Sequence, residues 1–343
     1  MTMEMPLVSV IITTYHNEQY LPRAIGSVLA QTWPNIQLIV VDDNPPDSPS
    51  RRATEEVMAR YPQALYLRHP ENRNGAAARN TGIRAAEGQY IAFLDNDDFY
   101  FSDHIASCVR TLQARPDCGS VVCGVAKIRG GVCWDRIEPP EEDMARALLF
   151  SETALGTGSN LFLTADTVRG LGGFDERFRR HQDVEFGLRY FAVDRPVTIR
   201  QVQIVKEMDG FSNVPDLQKF LQTKELLWDT FHETLDALSP ADRARYFGGQ
   251  WSALLYAACK AGDRDQIRAI ASQLERFRPL DKKERLMVSL TRAGLFHGYE
   301  RLKSMAKTLR SPKLKAQILA GLPEADRHAF EQALSPTKKE DPR

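Results

Sequence analysis

Four short runs of β-branched and aromatic residues alternate with segments of helical periodicity, and that alternation leaves the chain few folds to choose from. Leu7–Thr14, Ile36–Val41, Ala64–Leu67 and Tyr90–Leu94 form the runs. Leu7–Thr14 is β-branched almost throughout, as in a strand buried on both faces of a parallel sheet. Between the first two runs, Leu21, Ile25, Val28 and Leu29 share one helical face. Before the fourth, Gly75-Ala76-Ala77-Ala78-Arg79-Asn80 opens a helix of small residues able to lie close against a sheet. Strand–helix–strand units of this length imply right-handed crossovers and a mostly parallel, Rossmann-like sheet flanked by helices. The fold class expected is α/β.

The runs end in polar residues where a sheet of this kind binds ligands, at the carboxyl ends of its strands. Thr13 and Tyr15 follow the first run, Asp42 and Asp43 the second. The fourth runs into Asp95-Asn96-Asp97-Asp98. Three carboxylates within four residues at a strand exit need a cation or a set of donors to neutralise them. Hard oxygen ligands suit Mg²⁺ or Mn²⁺ held jointly with substrate phosphates, with Asp97 as the main ligand and Asp95 ligating directly, through water, or holding the ribose. The crevice fits a nucleotide: an aromatic for the base, carboxylates for base and ribose donors, and a metal for the diphosphate.

The bulk numbers exclude several classes. The 343 residues suffice for one large domain and a smaller one, and 43% hydrophobic with 26% charged residues is the balance of a globular protein with a full core. A formal net charge of zero argues against a nucleic-acid binder. Cys108, Cys118, Cys123, Cys133 and Cys259 are odd in number and contain no C-x-x-C pair. They read as reduced, buried thiols of a cytoplasmic protein rather than a disulfide framework or a zinc site. No apolar run reaches the ~20 residues of a membrane span, so work at a membrane would mean docking from the cytoplasm as a peripheral protein.

The ordered motifs carry a resemblance. Val8-Ser9-Val10-Ile11-Ile12-Thr13-Thr14-Tyr15-His16-Asn17-Glu18, Val41-Asp42-Asp43, Ala78-Arg79-Asn80-Thr81-Gly82 and Phe93-Leu94-Asp95-Asn96-Asp97-Asp98 resemble the successive signatures of family 2 glycosyltransferases, in order and spacing. The loop Asp42-Asp43-Asn44-Pro45-Pro46-Asp47 and Asn72-Arg73-Asn74-Gly75 resemble members that build bacterial capsule, O-antigen and other surface polysaccharides. The resemblance implies a GT-A fold, a nucleotide-sugar donor such as a UDP-sugar, Mn²⁺ or Mg²⁺, and a saccharide or lipid-linked saccharide acceptor. It implies donor contacts from Thr13, Tyr15, Glu18, Asp43, Asn74, Arg79, Asp95 and Asn96, and a single displacement that inverts the anomeric carbon.

On the acceptor side, Gly173-Phe174-Asp175 and Gln182-Asp183-Val184-Glu185 resemble the family's later motifs. Gln182 stands where a Glu is commoner, and Asp183 aligns with the catalytic base; its simpler role is a helix cap. Glu185 falls on another side of that helix. Where many members carry a histidine after the last strand, this chain has Lys206-Glu207-Met208-Asp209. The expected domain is 1–212, with its nucleotide-sugar half at about 1–115 and its acceptor half at about 116–212. A helical region, 213–334, and a disordered tail, 335–343, follow. Within the helical region, Trp251, Leu254, Leu255 and Ala258 share a face, and Lys303, Lys307, Arg310, Lys313 and Lys315 lie beside Leu295, Leu302 and Met305, a pattern that suits an anionic membrane surface. A sugar-nucleotide pyrophosphorylase would need a glycine-rich loop where Thr14-Tyr15-His16-Asn17 stands, and a dehydrogenase would need G-x-G-x-x-G there. A degenerate nucleotide-sugar-binding scaffold remains an open alternative.

Overall fold

The computed structural model describes residues 5–140, 143–151, 155, 157–209 and 216–335. The boundary expected at 212/213 and residues 336–343 of the expected tail lie outside them. By chain contacts the protein divides into two compact units. One comprises Met1–Leu148, Thr153–Ser212 and Arg310–Arg343, the other Leu149–Glu152 and Asn213–Leu309.

The four apolar runs are the strands β1 (Val8–Thr14), β2 (Ile36–Asp42), β3 (Leu65–Arg68) and β4 (Tyr90–Asp95). They pair in parallel, with β1 central: Thr13 lies opposite both Val41 and Asp95, and Asp42 opposite Arg68. Five more strands complete one sheet among the described residues: β5 (Phe99–Tyr100), β6 (Ser120–Arg129), β7 (Val132–Ile137), β8 (Phe162–Thr164) and β9 (Pro196–Glu207). The order is β3-β2-β1-β4-β8-β6-β9-β5, with β7 hairpinned onto β6 through Gly130 and Gly131, both at positive φ. β8 runs antiparallel to β4 and β6, while β9 runs parallel to β6. The sheet is therefore parallel on its nucleotide side and mixed beyond it.

Burial explains the pairing. Val8, Val10 and Ile12 point into one core with Leu21, Ile25, Leu94 and Val109. Each such side chain contributes roughly 1.5–3 kcal/mol when fully buried. On the opposite face the helix Gly75–Ala85 lies almost on the strands. Ala76, Ala77 and Ala78 are fully buried, and a Cβ on Gly82 would come within 2.3 Å of the Ile11 side chain. Only glycine permits that approach. A second core, with Phe99, Ile128 and Val205 from the strands and Phe101 just after β5, takes in Ile318, Leu322 and Phe330. Asp326 fastens that C-terminal segment by accepting from the Ser102 backbone N–H at 2.8 Å and its hydroxyl at 2.9 Å.

The second unit is helical, built from Leu217–Thr230, Pro240–Ala261, Arg264–Glu275, Lys282–Arg292 and the start of Phe296–Ala320. Leu254, Leu255, Ala258, Ile267, Ile270, Leu274 and Met287 form its core. Gly262, at φ +75, ends one helix, and the Asp263 side chain caps the next.

Candidate active site

β1 leaves the sheet through a strained turn. His16 and Asn17 both hold positive φ, 56° and 57°, a conformation that costs energy and needs surrounding support. Asn96 supplies it: buried beneath the turn, its amide donates to Thr14 Oγ1 at 2.9 Å and to the His16 carbonyl at 2.7 Å. The His16 N–H is held by Asn44 at 2.8 Å. This turn carries Tyr15, exposed on the rim with its ring against His16, and half-buried Glu18. Thr13 is half-buried at the end of β1.

Asp43 acts on the loop that follows β3. Its two carboxylate oxygens accept from His69 Nδ1 at 2.7 Å, Asn72 Nδ2 at 2.8 Å, and the backbone N–H groups of Arg73 and Asn74, each at 2.9 Å. Those four bonds fill the acceptor positions of one carboxylate. Asn74 is likewise occupied. At φ +107 it caps the helix Gly75–Ala85, accepting from the Ala76 and Ala77 N–H groups and donating to the Glu176 carbonyl. In this structure both residues shape the loop.

At the end of β4 the three acids converge, with one oxygen of each lying within 4.8 Å of the others. Their surroundings give them different properties. Asp98 is fully buried and accepts from Thr157 Oγ1 at 2.6 Å, Ser159 Oγ at 2.7 Å and the Glu207 N–H at 3.2 Å. Asp95 pairs with Arg79 at 2.6 Å and accepts from Thr157 at 3.2 Å. Burial alone would raise its carboxyl, but the Arg79 and Lys206 cations hold it below its ordinary value. Among the described residues the Asp97 side chain meets Asn17 Nδ2 at a long 3.5 Å, while its carbonyl accepts from Arg23 at 2.6 Å. Burial, then the charges of Asp98 and Asp95, push its carboxyl up to about 8. A carboxylate so poorly compensated is the one a divalent cation would relieve most. The donor set therefore fits Mn²⁺ or Mg²⁺, with Asp97 as the carboxylate least committed to protein donors.

The acceptor-side motif is tied to this cluster through Arg79. One guanidinium nitrogen reaches Asp95 and another donates to Gln182 Oε1 at 2.7 Å, with the ring of Phe174 beneath it at 5.4 Å. Gln182 opens the helix Gln182–Val193, and Asp183 stands half-buried in its first turn. Phe174 is buried and stacks on Phe186 at 4.3 Å. Gly173, at φ +74, approaches Asn80 too closely for a side chain. Asp175 is held by Arg177. Gly173, Phe174 and Asp175 thus fasten the wall beside Asp183.

Lys206, near the end of β9, joins the two halves. Burial would lower its ammonium, yet the charges of Asp98, Asp95, Asp97 and Asp183 hold it above its ordinary value. Glu207 turns to Arg23, and Asp209 accepts from the Gly130 N–H. Thr157, Ser159 and Arg23 complete the site without a local signal in the sequence, because only the folded sheet brings them to the acids.

Residues 9–166 match the family model of glycosyl transferase family 2. Over that stretch the chain is similar to the family. A Rickettsia felis protein described as an uncharacterized glycosyltransferase is 29% identical over 238 residues, covering 66% of this chain and 38% of the relative. The chain also shares its fold with two solved proteins. Staphylococcus aureus TarS 1–349 in complex with UDP has a TM-score of 0.51 and 13% identity, covering 84% of this chain and 92% of that one. The mannosyltransferase PcManGT from Pyrobaculum calidifontis, in complex with GDP-Man and Mn²⁺, has a TM-score of 0.53 and 19% identity, covering 90% and 88%. The expected GT-A fold, with a helical region following it, is the fold found.

Proposed function

We propose that this chain moves a sugar from a nucleoside-diphosphate donor, a UDP-sugar by preference, to a hydroxyl of a saccharide or lipid-linked saccharide. Transfer would invert the anomeric carbon and serve the synthesis of a capsule, O-antigen or similar surface polysaccharide. The observation that carries this reading is the convergence of Asp95, Asp97 and Asp98 at the end of β4, with Asp183 acting electrostatically on the same Lys206 as they do. Asp97, with Asp95, would hold Mn²⁺ or Mg²⁺, whose chemistry is to bridge the diphosphate and stabilise the departing charge. Tyr15 offers a face for the base, and Thr13 and Glu18 border the same crevice. Arg79 keeps Asp95 ionised and the Asp183 helix in place. Lys206 adds a cation beside the leaving diphosphate, the electrostatic help such a departure needs. Asp183 accepts the proton of the acceptor hydroxyl as it attacks.

Incubating the protein with a panel of UDP- and GDP-sugars and Mn²⁺, and following nucleotide release, tests the reading. Donor turnover that requires the metal and an inverted product supports it. Binding without turnover across the panel would favour the scaffold alternative.

The proposed location is cytoplasmic, peripheral to the inner face of the membrane. No helix of the described residues is long and apolar enough to cross a membrane. Leu302, Met305 and Leu309 are 68%, 62% and 82% exposed at helical spacing, with Arg301, Lys303 and Arg310 on the flanks. That combination suits anionic lipid headgroups.

A further inference from the structure

Away from the acidic cluster, three side chains that bind soft metal ions meet in the interior of the first unit. His104 begins the helix His104–Ala114 and Cys108 follows four residues later, so both lie on one helix face. Cys123 comes from β6, which packs against that face. The three residues are 1%, 0% and 0% exposed. The two Sγ atoms are 3.8 Å apart, and His104 Nδ1 lies 3.8 Å from Cys108 Sγ and 3.9 Å from Cys123 Sγ. A point equidistant from all three is about 2.2 Å from each, between the Zn–N length of about 2.0–2.1 Å and the Zn–S length of about 2.3 Å.

The imidazole is otherwise badly placed. Among the described residues its buried Nε2 has no hydrogen-bond partner, and Nδ1 faces the two sulfurs. A buried polar ring so poorly satisfied is costly unless something stronger engages it. Tyr100 packs against the ring at 4.1 Å, with the two planes tilted by 37°. Thiolate is the form that binds metal.

We propose that His104 Nδ1, Cys108 Sγ and Cys123 Sγ form a closed structural site for a thiophilic d¹⁰ cation, Zn²⁺ or Cu⁺. Two thiolates neutralise Zn²⁺, and one thiolate beside one thiol neutralises Cu⁺, so neither ion buries net charge. Loading releases the displaced thiol protons to solvent and ties the helix to β6. The sequence reading of ordinary buried thiols missed this grouping, because no spacing motif links residues 104, 108 and 123 across a helix and a strand.

Untagged protein grown with zinc and copper salts, then dialysed against EDTA to strip the acidic site, is assayed by elemental analysis. About one equivalent of zinc or copper per chain is expected, and the same measurement says which. Cys108→Ser and Cys123→Ser should each lose it, whereas Asp97→Ala, in the other cluster, should keep it. Protein grown with cobalt should show a thiolate-to-metal charge-transfer band that Cys123→Ser lacks. Should the cysteine variants not fold, wild-type protein unfolded beside a chromogenic chelator must release its metal in step with unfolding. Wild-type protein with less than roughly a tenth of an equivalent under every supplement, or a Cys108→Ser/Cys123→Ser double variant that stays loaded, overturns the proposal.

Discussion

Arg79 and Gln182, 103 residues apart in the chain, meet at 2.7 Å, and the same guanidinium holds Asp95 at 2.6 Å. One side chain thereby fixes the acid cluster to the helix that carries the proposed base. With a neutral Gln at 182, the full charge of Arg79 stays with Asp95. Arg79→Met should cost on the order of 3 kcal/mol, since it leaves a half-buried carboxylate unpaired. Gln182→Ala, which removes one charge-assisted hydrogen bond, should cost about 1 kcal/mol. Urea denaturation of both variants measures the difference; equal costs would contradict the ranking.

Asp97 and Asp98 are neighbours with opposite commitments. Asp97→Ala should abolish metal-dependent donor turnover while leaving the melting temperature near that of the wild type. Asp98→Asn should instead destabilise the protein by about 1–3 kcal/mol, because its carboxylate organises Thr157, Ser159 and the end of β9. Thermal melts and donor hydrolysis, measured on the same samples, separate the two roles.

Asp183→Asn should lower transfer by roughly 10²–10⁴-fold with little effect on nucleotide affinity. Glu185, two residues on, is no neutral comparison. It is buried, pairs with Arg189 at 2.5 Å, and Arg189 in turn donates to the carbonyls of Leu171 and Gly173. Glu185→Gln should therefore lose stability first and activity only as a consequence. Full transfer by Asp183→Asn would refute the assignment of the base.

The helical unit has its own pH signature. Glu284 receives Arg278 at 2.6 and 2.8 Å, Ser252 at 2.5 Å and the Asp281 N–H at 2.8 Å. Burial opposes its charge, but these donors pull the carboxyl down to about 2. A depressed folded value means stability present above the unfolded value and lost as pH falls. Glu284→Gln should thus cost about 2 kcal/mol at pH 7 and little near pH 2. Chemical denaturation across that window reads the convergence.

Lipid binding by the exposed stripe calls for point changes rather than truncation. Removing residues beyond 280 would also strip Ile318, Leu322 and Phe330 from the second core of the first unit. Leu302→Glu with Leu309→Glu should release the protein from anionic liposomes while sparing donor turnover. Unchanged co-sedimentation would rule the stripe out.

Hydrophobic runs and the acids that follow them specified β1 to β4, their parallel pairing and the crevice at their ends, because buried strands and charged strand exits leave local marks. The same marks placed Asp95 and Asp97, whereas Asp183 was singled out only by the resemblance of its motif. The sequence did not show which lone pairs would already be taken. Asp43 and Asn74 carry motif positions, yet both are spent on the loop and helix cap they hold. Nor did it show β9 as the strand that sets Lys206 in the field of the acids, or residues 310–335 as part of the first unit. Those outcomes depend on partners dozens to hundreds of residues away. Hydrogen-bond saturation and charge proximity are set by tertiary distance, and no local pattern encodes that distance.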